Sequence, residues 1–459
     1  MVGSFPSRLA ALSGLAASVL LVAEPAQADP NRPFPQHVVY APGSLRPSLH
    51  TQPTQDAHVT ALYAAWKSRY LAQAGQESDG HPRYRIRTGR DPSNATVSEG
   101  QGYGMMIVAF MAGHDPDAQT LIDGLYEYAL DHPSTIDSRL MDWRVEADEV
   151  PDPSGNDSAF DGDGHIAFAL LLAERQWGND GRFDYRAAAA TRLAGLADSV
   201  IGPTSKLPLL GDWVDPSGSP YSEYTPRTSD FIFDHFRAFT VAVPAGPWPQ
   251  VVAASHTAVD HVQTLHAAST GLLPDFLEPV SPSDPTLRPA SPGFLEGPFD
   301  GAYYYNALRV PLLLGVDALL SGDAISTSQA RHFAVFSNGV ATGVPANLPA
   351  GFELDGTPLP GSGYFTTAFA APFAVAAMTD PGQQGWLDAL YDAVRDSDEN
   401  YYEDTLSLIS LLVLTGNYWS PWQLGSLTLP ALPLGALAAC SVLISLLGRT
   451  RLVARPERQ

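Results

Sequence analysis

Apolar residues recur along this chain at three- and four-residue spacing far more often than they alternate with polar ones. Val59, Leu62, Tyr63, Trp66 and Tyr70 make one such face, the period of an amphipathic helix. Comparable faces fall near 103–113, 118–130, 165–177, 185–201, 235–243, 251–268, 303–321, 327–340, 365–378, 384–396 and 401–416. Together they predict an all-α fold of about twelve helices with no linker between them. Long alternating strand patterns are scarce. Loops rich in proline and glycine separate the helices, and those at 203–230 and 274–301 have the length at which loops in compact domains are usually functional. So many consecutive helices suggest helix pairs closing into an α-barrel. No sequence repeat or glycine-rich phosphate loop stands out.

The two ends depart from this pattern. Arg8, the apolar run from Leu9 to Ala23, and Ala26-Gln27-Ala28 read as a secretory signal cut after Ala28. Residues 29–56 are rich in proline and polar side chains and read as an extended lead-in, with the helical domain over 57–423. From Leu424 to Leu447 no charge interrupts the chain, and Arg449, Arg451, Arg455 and Arg458 follow. Residues 424–459 are therefore expected to be a hydrophobic anchor or a processed sorting tail, which would bring the chain to a membrane.

Charge and cysteine usage narrow the function classes. The chain has 49 acidic against 26 basic residues, a formal charge of -23. Nucleic acid, whose phosphates need a basic face, is excluded as a partner. The acidity fits solubility or a cationic substrate. A single cysteine, Cys440, rules out an intrachain disulfide and a cysteine-based zinc site. The histidines are scattered, and neither a metal nor another cofactor is expected.

Three clusters carry the candidate chemistry. In Ser98-Glu99-Gly100-Gln101-Gly102-Tyr103-Gly104 a carboxylate opens an apolar helix. An apolar setting would raise its pKa and suit a general acid; the alternative is a glutamate near the helix dipole. Glycines at 100, 102 and 104 would let another molecule approach the backbone. The second cluster, Asp157 to His165, opens the next apolar run. It is not a calcium loop, because Phe168 or Leu172 falls where the twelfth-position glutamate is needed. Asp161 and Asp163 read either as helix-start carboxylates or as acceptors for sugar hydroxyls. The third, Phe294 to Pro311, packs Glu296, Asp300, several aromatics, Asn306 and Arg309 around one junction. No serine–histidine–aspartate grouping has a recognisable elbow. Carboxylates with aromatics are the equipment of glycoside hydrolysis.

These segments resemble glycoside hydrolase family 8. Ala159-Phe160-Asp161-Gly162-Asp163-Gly164-His165 follows the family signature, with Phe160 where serine or threonine is usual, and Ser98 to Gly104 matches the general-acid motif. Arg227-Thr228-Ser229-Asp230-Phe231, Gly271-Leu272-Leu273-Pro274-Asp275-Phe276 and Gly416-Asn417-Tyr418-Trp419 match as well. The resemblance implies an (α/α)6 barrel, a polysaccharide substrate and inversion at a β-1,4 bond. It implies Glu99 as acid. Where many members carry a catalytic aspartate this chain has Asn306, as in a subgroup of chitosanases and β-glucanases whose base is a loop glutamate. That points to Glu296, with Asp300 and Glu278 as the neighbouring alternatives. Asp161, Asn306 and Arg309 are expected to hold the sugar or support the site. Trp143, Trp213, Tyr304 and Tyr418 are expected stacking platforms.

Overall fold

A computed structural model describes residues 28–150 and 156–423. The expected signal and C-terminal tail lie outside these residues, apart from Ala28. Among the described residues, no helix is long and apolar enough to cross a membrane.

Twelve α-helices are present among the described residues, and their burial sorts them into two layers. Six are apolar or buried around most of their circumference: α2 (Ser98–Phe110), α4 (Phe160–Trp177), α6 (Phe233–Ala242), α8 (Val310–Ser321), α10 (Thr367–Ala377) and α12 (Tyr401–Leu414). A helix that is apolar all round belongs inside a core. The other six bury one stripe and expose the rest: α1 (Gln52–Tyr70), α3 (Ala118–Asp131), α5 (Tyr185–Ser199), α7 (Trp248–Leu265), α9 (Ala324–Ala341) and α11 (Gln384–Val394). The inner six contact one another in chain order, and α12 returns to α2, so the ring closes. The result is an (α/α)6 barrel.

Three small antiparallel strand pairs decorate it: β1 (Leu71–Gln76) with β2 (Pro82–Ile86), β3 (Thr96–Val97) with β4 (Arg144–Val145), and β5 (Leu277–Ser281) with β6 (Asp284–Pro289). They are too short to print an alternating pattern on the sequence. Helix boundaries also differ from expectation, at α1 and α8 among others. The first helix begins at Gln52, inside the segment read as lead-in. The expected helix at 303–321 starts only at Val310. Tyr303 is drawn out of helical geometry by pairing with Phe352, its N–H donating at 2.9 Å. Pro311 then fits the first turn of α8, where a missing N–H costs nothing.

The inner helices all start at one rim and end at the other. The lead-in runs as a strap along the second rim, where helix ends leave carbonyls unpaired. Backbone N–H groups of Asn31, Phe34, Val38, Ala41 and Leu45 donate to the carbonyls of Gln176, Ala112, Gly416, Leu319 and Met378 at 2.7–2.8 Å. Gln423 reaches the Leu320 carbonyl on the same rim.

The glycines of α2 serve packing, not access for another molecule. A Cβ at Gly102 would sit 2.5 Å from His165 Cβ and 2.9 Å from the Gly162 carbonyl oxygen. Gly100 lies against Tyr401, and Gly104 against Ile86. This lets α2 and α4 cross closely and brings their first turns together. Gly102→Ala is expected to cost about 1–3 kcal/mol by overpacking, because a backbone carbonyl cannot rotate away. Thermal or denaturant unfolding of the variant checks this.

Candidate active site

The first rim gathers the first turns of α2 and α4, the loop before α6, the long loop between α7 and α8, and the start of α12. At its centre is Arg309, 2% exposed, in a 3-10 turn at Ala307–Arg309 just before α8. Its Nη1 donates to Glu99 Oε2 and, at 2.8 Å, to Asp161 Oδ2. Its Nη2 donates to Ser229 Oγ at 2.7 Å and to Asn306 Oδ1 at 2.9 Å. The guanidinium thus ties four segments into one cluster.

Glu99 stands in the first turn of α2, but its side chain points to Arg309 and makes no cap; the N-cap position is Val97. It retains 15% side-chain exposure. Burial is the largest influence on its pKa and raises it, Asp161 adds to the rise, and Arg309 opposes it; the result is about 7. Asp161 goes the other way. Burial alone would raise it, but Arg227 and Arg309 outweigh burial and hold it well below the usual carboxylate range. The Arg227–Asp161 pair is 2.8 Å long. One carboxyl is therefore kept protonated near neutral pH while its neighbour stays ionised, the division that acid catalysis of glycoside cleavage uses.

On the other side, Asn306 Nδ2 donates to Glu296 Oε2 at 2.9 Å. Glu296 is exposed in its loop. The two alternatives near it are committed elsewhere. Asp300, 3% exposed, accepts the backbone N–H groups of Leu295, Glu296 and Gly297 at 2.7–3.1 Å and so shapes the turn that presents Glu296. Glu278 pairs with Arg288 across β5 and β6 at 2.8 Å and with Ser291.

The aromatic expectations divide. Trp213 stays half-buried and meets Tyr221 edge to face at 5.2 Å, and Tyr221 meets Phe294 in the same way, next to the Glu296 turn. Tyr304 is half-buried, packed on Phe299 and Tyr305 at 5.1 and 4.8 Å, and Tyr305 reaches Tyr364 through its hydroxyl. Trp143 is half-buried, and its carbonyl accepts the Ser98 N–H at 2.9 Å at the start of α2. Tyr418 does not fit the expectation. It is 3% exposed, lies on Phe110 at 4.6 Å, and lines a cavity of about 20 Å³ inside the barrel together with Tyr103, His165, Asp234 and His235. A ring so little exposed, inside the barrel, is not open to stack on sugar. Asp163 also turns away: it is fully buried and accepts from Met141 N–H and from Arg192, on the far side of α4. Phe160 packs on Phe236 in the core, so the departure at that position is absorbed by apolar packing.

Several members of the cluster had no role assigned from sequence: Arg227, Ser229, Asp230 and Asp275. Arg227 bridges Asp161 and Asp230. Asp275 accepts N–H groups from Tyr304 and Ala307 at 3.0 and 2.7 Å. Their signal was their presence in the family-like segments 227–231 and 271–276, without a spacing that exposes what each touches.

Comparison with known proteins agrees with this geometry. Residues 49–416 match Glycosyl hydrolases family 8. A Beta-glucanase of Niallia circulans is 38% identical over 91% of this chain and 98% of its own, and an Endoglucanase of Bacillus sp. (strain KSM-330) is 34% identical over 85% and 82%. The apo structure of a Beta-1,3-1,4-glucanase from Paenibacillus sp. X4 superposes with a TM-score of 0.80 at 38% identity, covering 85% of this chain and all of that one. The chain belongs to glycoside hydrolase family 8 and is a glycoside hydrolase.

The buried carboxyls set the pH dependence of stability. Burial raises Glu99, Asp230, Asp234 and Asp275 each to about 7, against roughly 4 in an unfolded chain. The folded state then binds their protons more tightly than the unfolded state. The resulting stability is complete below about pH 4 and is lost as the pH rises through about 7. Asp161 has the opposite sign, and its contribution is lost as the pH falls below about 4. Tm is expected to peak at mildly acidic pH, about 4–6, and to decline toward pH 8. A Tm that climbs steadily over that upper range in a calorimetric series would contradict the assignment.

Proposed function

We infer that the protein is an inverting, endo-acting β-glucanase that cleaves β-1,4 linkages in cellulose-like or mixed-linkage glucan, with Glu99 as general acid and Glu296 as general base. The observation that carries this reading is the continuous hydrogen-bonded path Glu99–Arg309–Asn306–Glu296. It sets a carboxyl raised to about 7 and an exposed carboxylate at opposite ends of one rigid cluster. The names of the relatives support the substrate class. Export from the cytoplasm is part of this reading, supported by the leader-like residues 1–28; the C-terminal anchor is an expectation from sequence alone.

In this reading the protonated Glu99 gives its proton to the glycosidic oxygen as the bond to the anomeric carbon breaks. Glu99 becomes a carboxylate beside Arg309, whose charge stabilises it. Asp161, held ionised, lies close to the positive charge that develops on the sugar ring. A water between the sugar and Glu296 attacks the anomeric carbon from the opposite face, and Glu296 takes its proton. Room for that water requires the two carboxyl groups to stand roughly 6.5–9.5 Å apart. Asn306, an amide, cannot take the proton; it donates to Glu296 and orients it.

The second reading is a chitosanase, favoured by the net charge of -23, which suits a polycationic substrate. Reducing-sugar release from carboxymethylcellulose, lichenan, chitosan and xylan separates the two. Lichenan or carboxymethylcellulose is expected to be cut fastest, with the α-anomer of the product appearing first by NMR. Glu99→Gln and Glu296→Gln are each expected to lower kcat by roughly 10²–10⁴-fold while substrate binding persists. Near-normal turnover in either variant, or retention of the β-anomer, would sink the corresponding part of the mechanism.

A further inference from the structure

The loop that ends in Phe276 brings a further carboxyl group to the cluster, one whose partners are neither Glu99 nor Arg309. Asp275 is 3% exposed. Its Oδ1 accepts the N–H groups of Tyr304 and Ala307, which flank Asn306 on both sides. Its Oδ2 lies 3.5 Å from Asn306 Nδ2. Its own backbone is fixed, with N–H donating to Ala302 at 2.8 Å and carbonyl accepting from Thr228 at 3.0 Å. One side chain thus grips both the backbone around Asn306 and the Asn306 amide.

Asn306 has to be turned one way for the cluster to work. Its Oδ1 faces Arg309, which can only donate, and its Nδ2 faces Glu296, which as a carboxylate only accepts. Turned over, the amide would oppose donor to donor on one side and acceptor to acceptor on the other. Asp275 supplies a second acceptor on the Nδ2 side. We propose that Asp275 is a positioning residue for the hydrolytic reaction: through Asn306 it holds Glu296 in the orientation needed to take the proton from the attacking water. This rests on Glu296 being the base.

The acceptor role of Oδ2 belongs to the ionised form of Asp275. Burial dominates and raises Asp275 to about 7, the three backbone contacts oppose the rise, and Glu296 adds to it. Tyr303, Tyr304 and Tyr402 are the other titratable groups that feel its charge. Once Asp275 is ionised, two carboxylates face one amide from two directions and hold its orientation.

Asp275→Asn separates positioning from simple capping. The new Oδ1 still accepts from Tyr304 and Ala307, so the 3-10 turn keeps its cap. The new Nδ2 meets Asn306 Nδ2 donor to donor and turns the amide or pushes it from Glu296. Tm is expected to stay within a few degrees and KM within about twofold, while kcat falls roughly 10–100-fold, the cost of a slightly misplaced reacting group. In Asp275→Asn/Asn306→Ala, kcat is expected to be no lower than in Asn306→Ala alone, because Asp275 acts through that amide. Asp275→Ser is the second variant if Asn does not fold; failure of both to fold makes Asp275 a structural cap and overturns the proposal. Unchanged kcat in Asp275→Asn, or fully additive losses in the double variant, also overturns it. Glu296→Gln measured in parallel keeps the two readings apart. If it retains turnover, the base assignment falls and the proposal with it. If it is inactive while Asp275→Asn is normal, the positioning role alone falls.

Discussion

A buried guanidinium between carboxylates is the constraint on which this rim depends. Arg309 is almost fully enclosed, and its donors go to Glu99, Asp161, Ser229 and Asn306. Ion pairs of this kind are weak evidence for stability, since desolvating the charges costs about as much as pairing returns, but removing one partner leaves an uncompensated charge. The arrangement therefore resists piecemeal change. It also divides labour between two neighbouring acids. Asp161 is served by two arginines and stays ionised; Glu99 shares one of them, is dominated by burial, and holds its proton to about neutral pH.

The barrel explains why such a cluster can be assembled from distant parts of the chain. Inner helices that all begin at one rim direct their N-terminal dipoles toward the same small region, which favours acidic side chains in the first turns. Glu99 in α2, Asp161 in α4 and Glu403 in α12 occupy such positions. The loops at that rim are then free to vary. The β5–β6 hairpin and the Asp300-stapled turn after it bring a carboxylate to a place where Asn306, at the head of the 3-10 turn before α8, offers only an amide.

The helices were legible because each carries several turns of periodic apolar residues, and packing only reinforces what that pattern specifies. Short strands of two to six residues carry no such pattern. Tyr303 to Arg309 misled the reading because its aromatics and Leu308 recur at helical spacing, while long-range pairing with Phe352 and the grip of Asp275 decide the backbone. The same limit governs the site. Glu99, Asp161, Glu296, Asn306 and Arg309 were named from motifs, and the structure draws them into one cluster. Asp275 and Ser229 were visible only as letters in matching segments, since their partners lie in loops far away in sequence. Tyr418 shows the converse: an aromatic beside a motif can be core, and periodicity does not say which side of a barrel wall a ring occupies.

The strap along the second rim has a consequence for how the molecule is made. Its partners are the last turns of inner helices spread over nearly the whole chain. Gln36 N–H, for example, donates to Asn417 Oδ1, 381 residues away. Contacts closing such long loops come late, because the entropy of closure must be met before they return anything. The segment synthesised early is thus seated only once α12 has formed, so its docking reports completion of the whole ring. Until then five inner-helix ends present bare carbonyls to water, and the barrel lacks its clasp.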